Sequence, residues 1–104
     1  MGRFIHLNSD VHRAAETKRL RTLLGDRRAD AYLVRLWLWM AQFHDSDDPA
    51  QSPSVSVDRA IKEALGGEQY GPYVIVAMHT AGFLEVADDG TFKTKTKYVR
   101  FEVP

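Results

Sequence analysis

Ala29, Leu33, Leu36, Trp37, Met40 and Phe43 recur at spacings of three and four, a pattern that predicts a helix with one wide apolar face. Val34, Leu38 and Trp39 carry the apolar surface round most of the circumference, so this helix is expected to lie centrally and be packed from several sides. Ahead of it, Ala14, Ala15, Glu16, Lys18, Arg19, Leu20 and Leu23 predict a helix from about Arg13 to Leu24, stopped by Gly25 in a left-handed conformation. Asp26 is the candidate cap of the central helix. The alternation from Arg3 to Asn8 predicts a short N-terminal strand.

After the central helix the pattern breaks. His44 to Ser54 is polar, acidic and twice interrupted by proline, which predicts a solvent-exposed loop. Ser56 can cap a short helix with Val57, Ala60, Ile61, Ala64 and Leu65 inward, ended by Gly66 and Gly67. Pro72 suits the first turn of a second short helix, with Val74, Ile75, Met78 and Ala81 inward and Gly82 closing it. Phe83 to Ala87 reads as a strand, Asp89-Gly90 as a hairpin turn, and Thr91 to Val103 as β-rich. Strict alternation along that last segment sets Lys93, Lys95, Lys97, Val99, Phe101 and Val103 on one face, basic near the hairpin tip and apolar at its base. The expectation is a mainly helical α+β chain, one domain over residues 1–104, with a projecting C-terminal hairpin.

Composition narrows the classes. The longest apolar runs, Leu36 to Ala41 and Tyr73 to Met78, have six residues each, far short of a membrane span of about 20. No secretory-type start is visible, so an intracellular, cytoplasmic protein without membrane contact is expected. With no cysteine, disulfides, thiolate nucleophiles and cysteine-based zinc sites are excluded. Fourteen basic and fourteen acidic side chains cancel, but the balance conceals an asymmetry. Residues 1–35 carry net +4, residues 36–90 net −7 and residues 91–104 net +3. If the two basic ends meet on one face, they form a patch that attracts phosphate; otherwise the charges solvate separate faces.

The order of helices followed by a basic hairpin is that of a winged helix-turn-helix. Thr17-Lys-Arg-Leu-Arg-Thr-Leu-Leu-Gly25, Val34-Arg-Leu-Trp-Leu-Trp-Met-Ala41 and Ala81-Gly-Phe-Leu-Glu85 followed by Asp88-Asp-Gly90 resemble the N-terminal region of phage replisome organisers and related phage replication-initiation proteins, over roughly residues 3–98. The resemblance implies a winged-helix DNA-binding module in phage DNA replication or transcriptional control. The partners it implies are DNA and a phage or host replication protein.

Lys93, Lys95 and Lys97 are the candidate phosphate contacts, although lysines on an edge strand also serve to prevent unwanted sheet pairing. On the second short helix the outward positions fall near Gln69, Tyr70, Tyr73, Val76 and Thr80, none of them charged. Gln69 alone suits bidentate base reading, while Tyr70 and Tyr73 either meet nucleic acid or pack. An uncharged face carrying Tyr73 and Val76 equally suits a protein contact or a homodimer, the alternative to DNA binding. Arg59 and Lys62 are candidates for positioning on the DNA backbone, with Asp58 and Glu63 as competing intrahelical partners. Lys18, Arg19, Arg21, Arg27 and Arg28 form a second candidate phosphate zone or a solvated face.

Chemistry finds no foothold. His6, His12, His44 and His79 lack metal-ligand spacing, and Asp45, Asp47 and Asp48 lack the glycine and terminal glutamate of a calcium loop. The glycines form no phosphate-binding loop and no serine-nucleophile motif occurs. A binding protein without metal or cofactor is the expectation, not an enzyme.

Overall fold

The computed structural model describes residues 4–25, 28–67 and 69–103. Helix α2 (Ala29–Ala41) lies at its centre, with Ala29, Leu33, Leu36, Trp37, Trp39 and Met40 buried. The apolar girdle is incomplete, however: Leu38 is 41% exposed, so one side of α2 faces solvent instead of being packed all round. Helix α1 (Ala15–Leu24) precedes it and ends at Gly25, whose φ of 69° needs no Cβ and whose N–H reaches Arg21 O at 2.9 Å. Between the N-terminal strand β1 (Ile5–Leu7) and α1, residues Ser9–Arg13 form a 3-10 turn capped by the Asn8 side chain. The cap expected of Asp26 lies outside the described residues, as does Arg27.

Strand β2 (Val55–Ser56) runs directly into α3 (Val57–Glu63), where Ser56 Oγ accepts the Arg59 N–H at 3.3 Å as its cap. Helix α4 (Gly71–Ala81) follows across the Gly66–Gly67 turn, with Val74, Ile75, Ala77, Met78 and Ala81 inward. Gly71 is where α4 meets α3. A Cβ there would stand 2.7 Å from Ile61 Cγ2, so only glycine allows this approach.

Strands β3 (Leu84–Val86) and β4 (Thr91–Thr94) form the expected hairpin, and β2 adds to it in the antiparallel order β2-β4-β3. The pairs Val55 with Phe92 and Val86 with Phe92 set the register. Trp37 Nε1 donates to Thr94 Oγ1 at 2.8 Å inside the core, tying this sheet to α2. Strand β5 (Val99–Phe101) leaves the hairpin and pairs antiparallel with β1, Ile5 opposite Phe101 and Leu7 opposite Val99.

The single alternating face expected from Lys93 to Val103 is therefore not formed. Phe92 and Thr94 are buried while Lys93 and Lys95 are exposed; after bends at Lys97 and Tyr98 the parity inverts, and Val99 and Phe101 are buried. The chain uses residues 95–98 to pass from one sheet to the other, which resets the pleat.

The segment after α2 also departs from a plain solvated loop. His44 is 2% exposed and stacks on Phe101 with centroids 5.3 Å apart, its Nε2 3.0 Å from Asp48 O. Ser52 Oγ accepts the Thr94 N–H at 3.0 Å, and Pro49 O accepts the Phe101 N–H at 2.8 Å. Only part of its surface is wet, Asp45, Asp47 and Asp48 among it. Every buried apolar side chain, from Leu20 of α1 to Phe101 of β5, joins one hydrophobic cluster. The fold is α+β: among the described residues, four α-helices stand with two small antiparallel sheets.

Candidate nucleic-acid interface

The pairing of β1 with β5 brings the two ends of the chain together and sets His6 beside Arg100. A second contact joins them: Lys97 Nζ lies 3.5 Å from Glu16 Oε2 of α1, and the Tyr98 hydroxyl donates to the same carboxylate at 3.1 Å. Hydrogen bonding with Tyr98 and the Glu16 charge raise the Lys97 pKa above the ordinary lysine value. Glu16 is shifted down, chiefly because its carboxylate accepts its own backbone amide, with Tyr98 and Lys97 adding to the effect against burial.

The three candidate lysines are all exposed, but they are not equivalent. Lys93 sits opposite Glu85 in the β3–β4 ladder, where the carboxylate offsets part of its charge. Lys95 is past the last β4 residue, at the point where its N–H bonds Phe83 O at 2.8 Å. Among the described residues neither Lys93 nor Lys95 makes a salt bridge. Lys97 is committed to Glu16 and lies 5.1 Å from the Tyr98 ring centroid. The hairpin tip itself is acidic. Asp88 and Asp89 occupy it, and hydrogen bonds from Thr91, side chain first and then backbone, lower the Asp89 pKa. The cations thus run from the middle of the hairpin, at Lys93, to beyond its base and are absent from the end that would reach farthest.

Helix α4 places its outward positions as expected but supplies no charge there. Val76 is 61% exposed and Tyr73 is 49% exposed, with Thr80 also facing out. The Tyr73 hydroxyl donates to Leu23 O at the end of α1, and Tyr70, half-buried, lies 5.9 Å from Tyr32 and 5.7 Å from Tyr73 between centroids. Both tyrosines take part in packing. Gln69 is exposed in the turn before α4, not on the helix itself.

No family model, curated protein or solved structure matches the chain.

Arg59 belongs to a clasp between α2 and α3. Its Nε donates to Glu63 Oε2 at 2.9 Å, its guanidinium stacks 4.9 Å from the Phe43 ring centroid, and Trp39 Nε1 donates to Glu63 Oε1 at 3.2 Å. Glu63 is accordingly shifted down, first by Arg59 and then by Trp39. Lys62 is exposed on the same helix. Arg21 is held similarly between the helices: its Nη2 is 2.6 Å from Asp30 Oδ2 and also donates to His12 O at 3.1 Å. Lys18, Arg19 and Arg28 are exposed.

Two residues that the sequence did not mark as nucleic-acid contacts stand in this region. His6 and Arg100 are direct cross-strand partners on the outer side of the β1–β5 pair. The alternation of Arg3 to Asn8 hinted at the strand, but its pairing partner has no local signal. Among the described residues, no group of three or more His, Asp or Glu side chains is placed to hold a metal ion, and no helix is long and apolar enough to cross a membrane.

Proposed function

We propose that the chain is a single winged-helix domain that binds DNA through the phosphate backbone, in phage DNA replication or transcriptional control. The element order α2-β2-α3-α4-β3-β4 and the sheet order β2-β4-β3 support the winged-helix reading: a helical pair is followed by a hairpin whose second strand lies between the first and a strand preceding the pair. The observation that supports the binding is the exposed cationic row of the C-terminal segment. Lys93 and Lys95 are exposed and make no salt bridge among the described residues, Lys97 is exposed beside Glu16, and β1–β5 pairing sets Arg100 across from His6.

Recognition of this kind follows phosphates and carries no sequence preference. An uncharged α4 face and an acidic hairpin tip oppose deep reading of either groove. The test is fluorescence anisotropy with two unrelated mixed-sequence duplexes at low salt. Lys93→Ala combined with Lys95→Ala should weaken both duplexes by the same factor. Absence of binding to either duplex at 50 mM salt would overturn the proposal.

A second reading has its own support. Val76 and Tyr73 expose apolar surface on a helix face without charge, which suits a protein partner or a second copy of the chain. Sedimentation over a concentration series with Val76→Glu tests it; a wild-type monomer throughout removes the homodimer version.

A further inference from the structure

We infer that the pocket between β1 and residues 97–100 is a binding site for a phosphate oxyanion, with Arg100 and Lys97 as its cationic donors. The pocket measures about 320 Å³, and its lining includes His6, Asn8, Lys97, Tyr98 and Arg100. Antiparallel register sets His6 directly across from Arg100, so their side chains leave the sheet on one face with Cβ atoms about 5 Å apart. Asn8 closes one end. Its N–H donates to Tyr98 O at 2.8 Å, and its side-chain oxygen accepts the Asp10 N–H at 2.9 Å, which leaves the side-chain NH₂ as a donor. Lys97 is fixed at the pocket edge by Glu16 at 3.5 Å and by the Tyr98 ring.

The sign of the lining selects the ligand. Its charged side chains are Lys97 and Arg100, and no carboxylate is among its lining residues; Glu16 contacts Lys97 and Tyr98 and offsets part of the Lys97 charge, so Arg100 is the stronger donor. A metal cation would meet Arg100 and Lys97 and no carboxylate among the lining residues. The planar fork of Arg100 matches phosphate oxygens bidentately, and Lys97 adds a point charge. A phosphodiester of a nucleic acid and a free phosphate compound share this chemistry. For the first source the inference rests on the DNA-binding reading; for the second it stands alone.

The experiment is a titration of the full chain with inorganic phosphate, against chloride at constant ionic strength, followed by amide NMR shifts. Saturable shifts confined to His6, Asn8 and residues 97–100 are expected, and Arg100→Gln should weaken them about tenfold, the loss of one charge-assisted hydrogen bond. Lys97→Gln, at an exposed side chain, provides a second variant with the same direction. Displacement of phosphate by a mixed-sequence duplex would assign the ligand to a nucleic-acid backbone, and phosphate binding without displacement would assign it to a free phosphate compound. Phosphate binding with no duplex binding at all would overturn the proposed function and leave the pocket standing. Shifts that fail to saturate, that chloride reproduces, or that both variants leave unchanged would overturn the site.

Discussion

Replacing Thr94 by valine keeps the shape of the side chain and removes one hydroxyl from the core. That hydroxyl accepts from Trp37 Nε1 at 2.8 Å and stands 3.2 Å from both Phe83 O and Lys95 O, to one of which its single proton is given. Phe83 O retains the Lys95 N–H at 2.8 Å, so the carbonyl is not orphaned. The indole has no such reserve: Trp37 is 1% exposed, and its N–H would be left facing a methyl group. An unsatisfied buried donor costs about 1–3 kcal/mol, so Thr94→Val should destabilise by about 2 kcal/mol. A change of that size is about thirtyfold in the unfolding equilibrium and lowers Tm by about 10 °C for a domain of this size. Urea unfolding followed by circular dichroism measures it. In a Trp37→Phe background the donor is gone, and the same substitution should cost less than about 1 kcal/mol. Equal costs in the two backgrounds, or a cost under about 0.5 kcal/mol in the wild type, would refute the link between α2 and the hairpin sheet.

Two further outcomes test the packing. Hydrogen bonding from Arg21 lowers the Asp30 pKa against the effect of burial, so the pair stabilises the fold above the ordinary aspartate range and that contribution disappears as pH falls through the depressed folded value. The Tm gap between wild type and Asp30→Asn should be open at pH 6 and narrow on acidification below about pH 4, the ordinary aspartate pKa; a gap independent of pH would contradict it. Gly71→Ala should lose about 1–3 kcal/mol in urea unfolding, because the added methyl meets Ile61 Cγ2 at 2.7 Å, and the loss should shrink in an Ile61→Ala background, where that methyl is gone.

Much of the helical half was legible because each signal was local. Gly25, Ser56, Pro72 and Gly82 mark helix ends by their own chemistry, and the three-and-four spacing around Trp37 marks a core face. The sheets were less legible because strand pairing is a long-range choice. Val55–Ser56 is two residues long and reads as a helix cap, which it also is, while its pairing with Phe92 has no local mark. Alternation from Lys93 to Phe101 suggested one strand, yet β1 takes the last part as its partner and the pleat changes parity between them. The candidate site divided in the same way. Exposure of Lys93 and Lys95 follows from alternation with Phe92 and Thr94, and the Arg59–Glu63 pair from i,i+4 spacing, whereas the attachment of Lys97 to Glu16, of Arg59 to Phe43 and of Tyr73 to Leu23 depends on elements folding back. Asp89 was visible as a turn former, and the electrostatic effect of Asp88 and Asp89 on the hairpin tip becomes evident once the lysines are located away from it.

The slope of log K against log salt for a mixed-sequence duplex tests most directly whether the C-terminal cations grip a phosphate backbone. Four phosphate contacts, from Lys93, Lys95, Lys97 and Arg100, predict a slope of about −3.6, equivalent to about 150-fold weaker binding at 200 mM than at 50 mM salt. Removing Lys93 and Lys95 together should flatten the slope by about 1.8. A slope near zero in the wild type, or one that the double substitution leaves unchanged, would contradict the account.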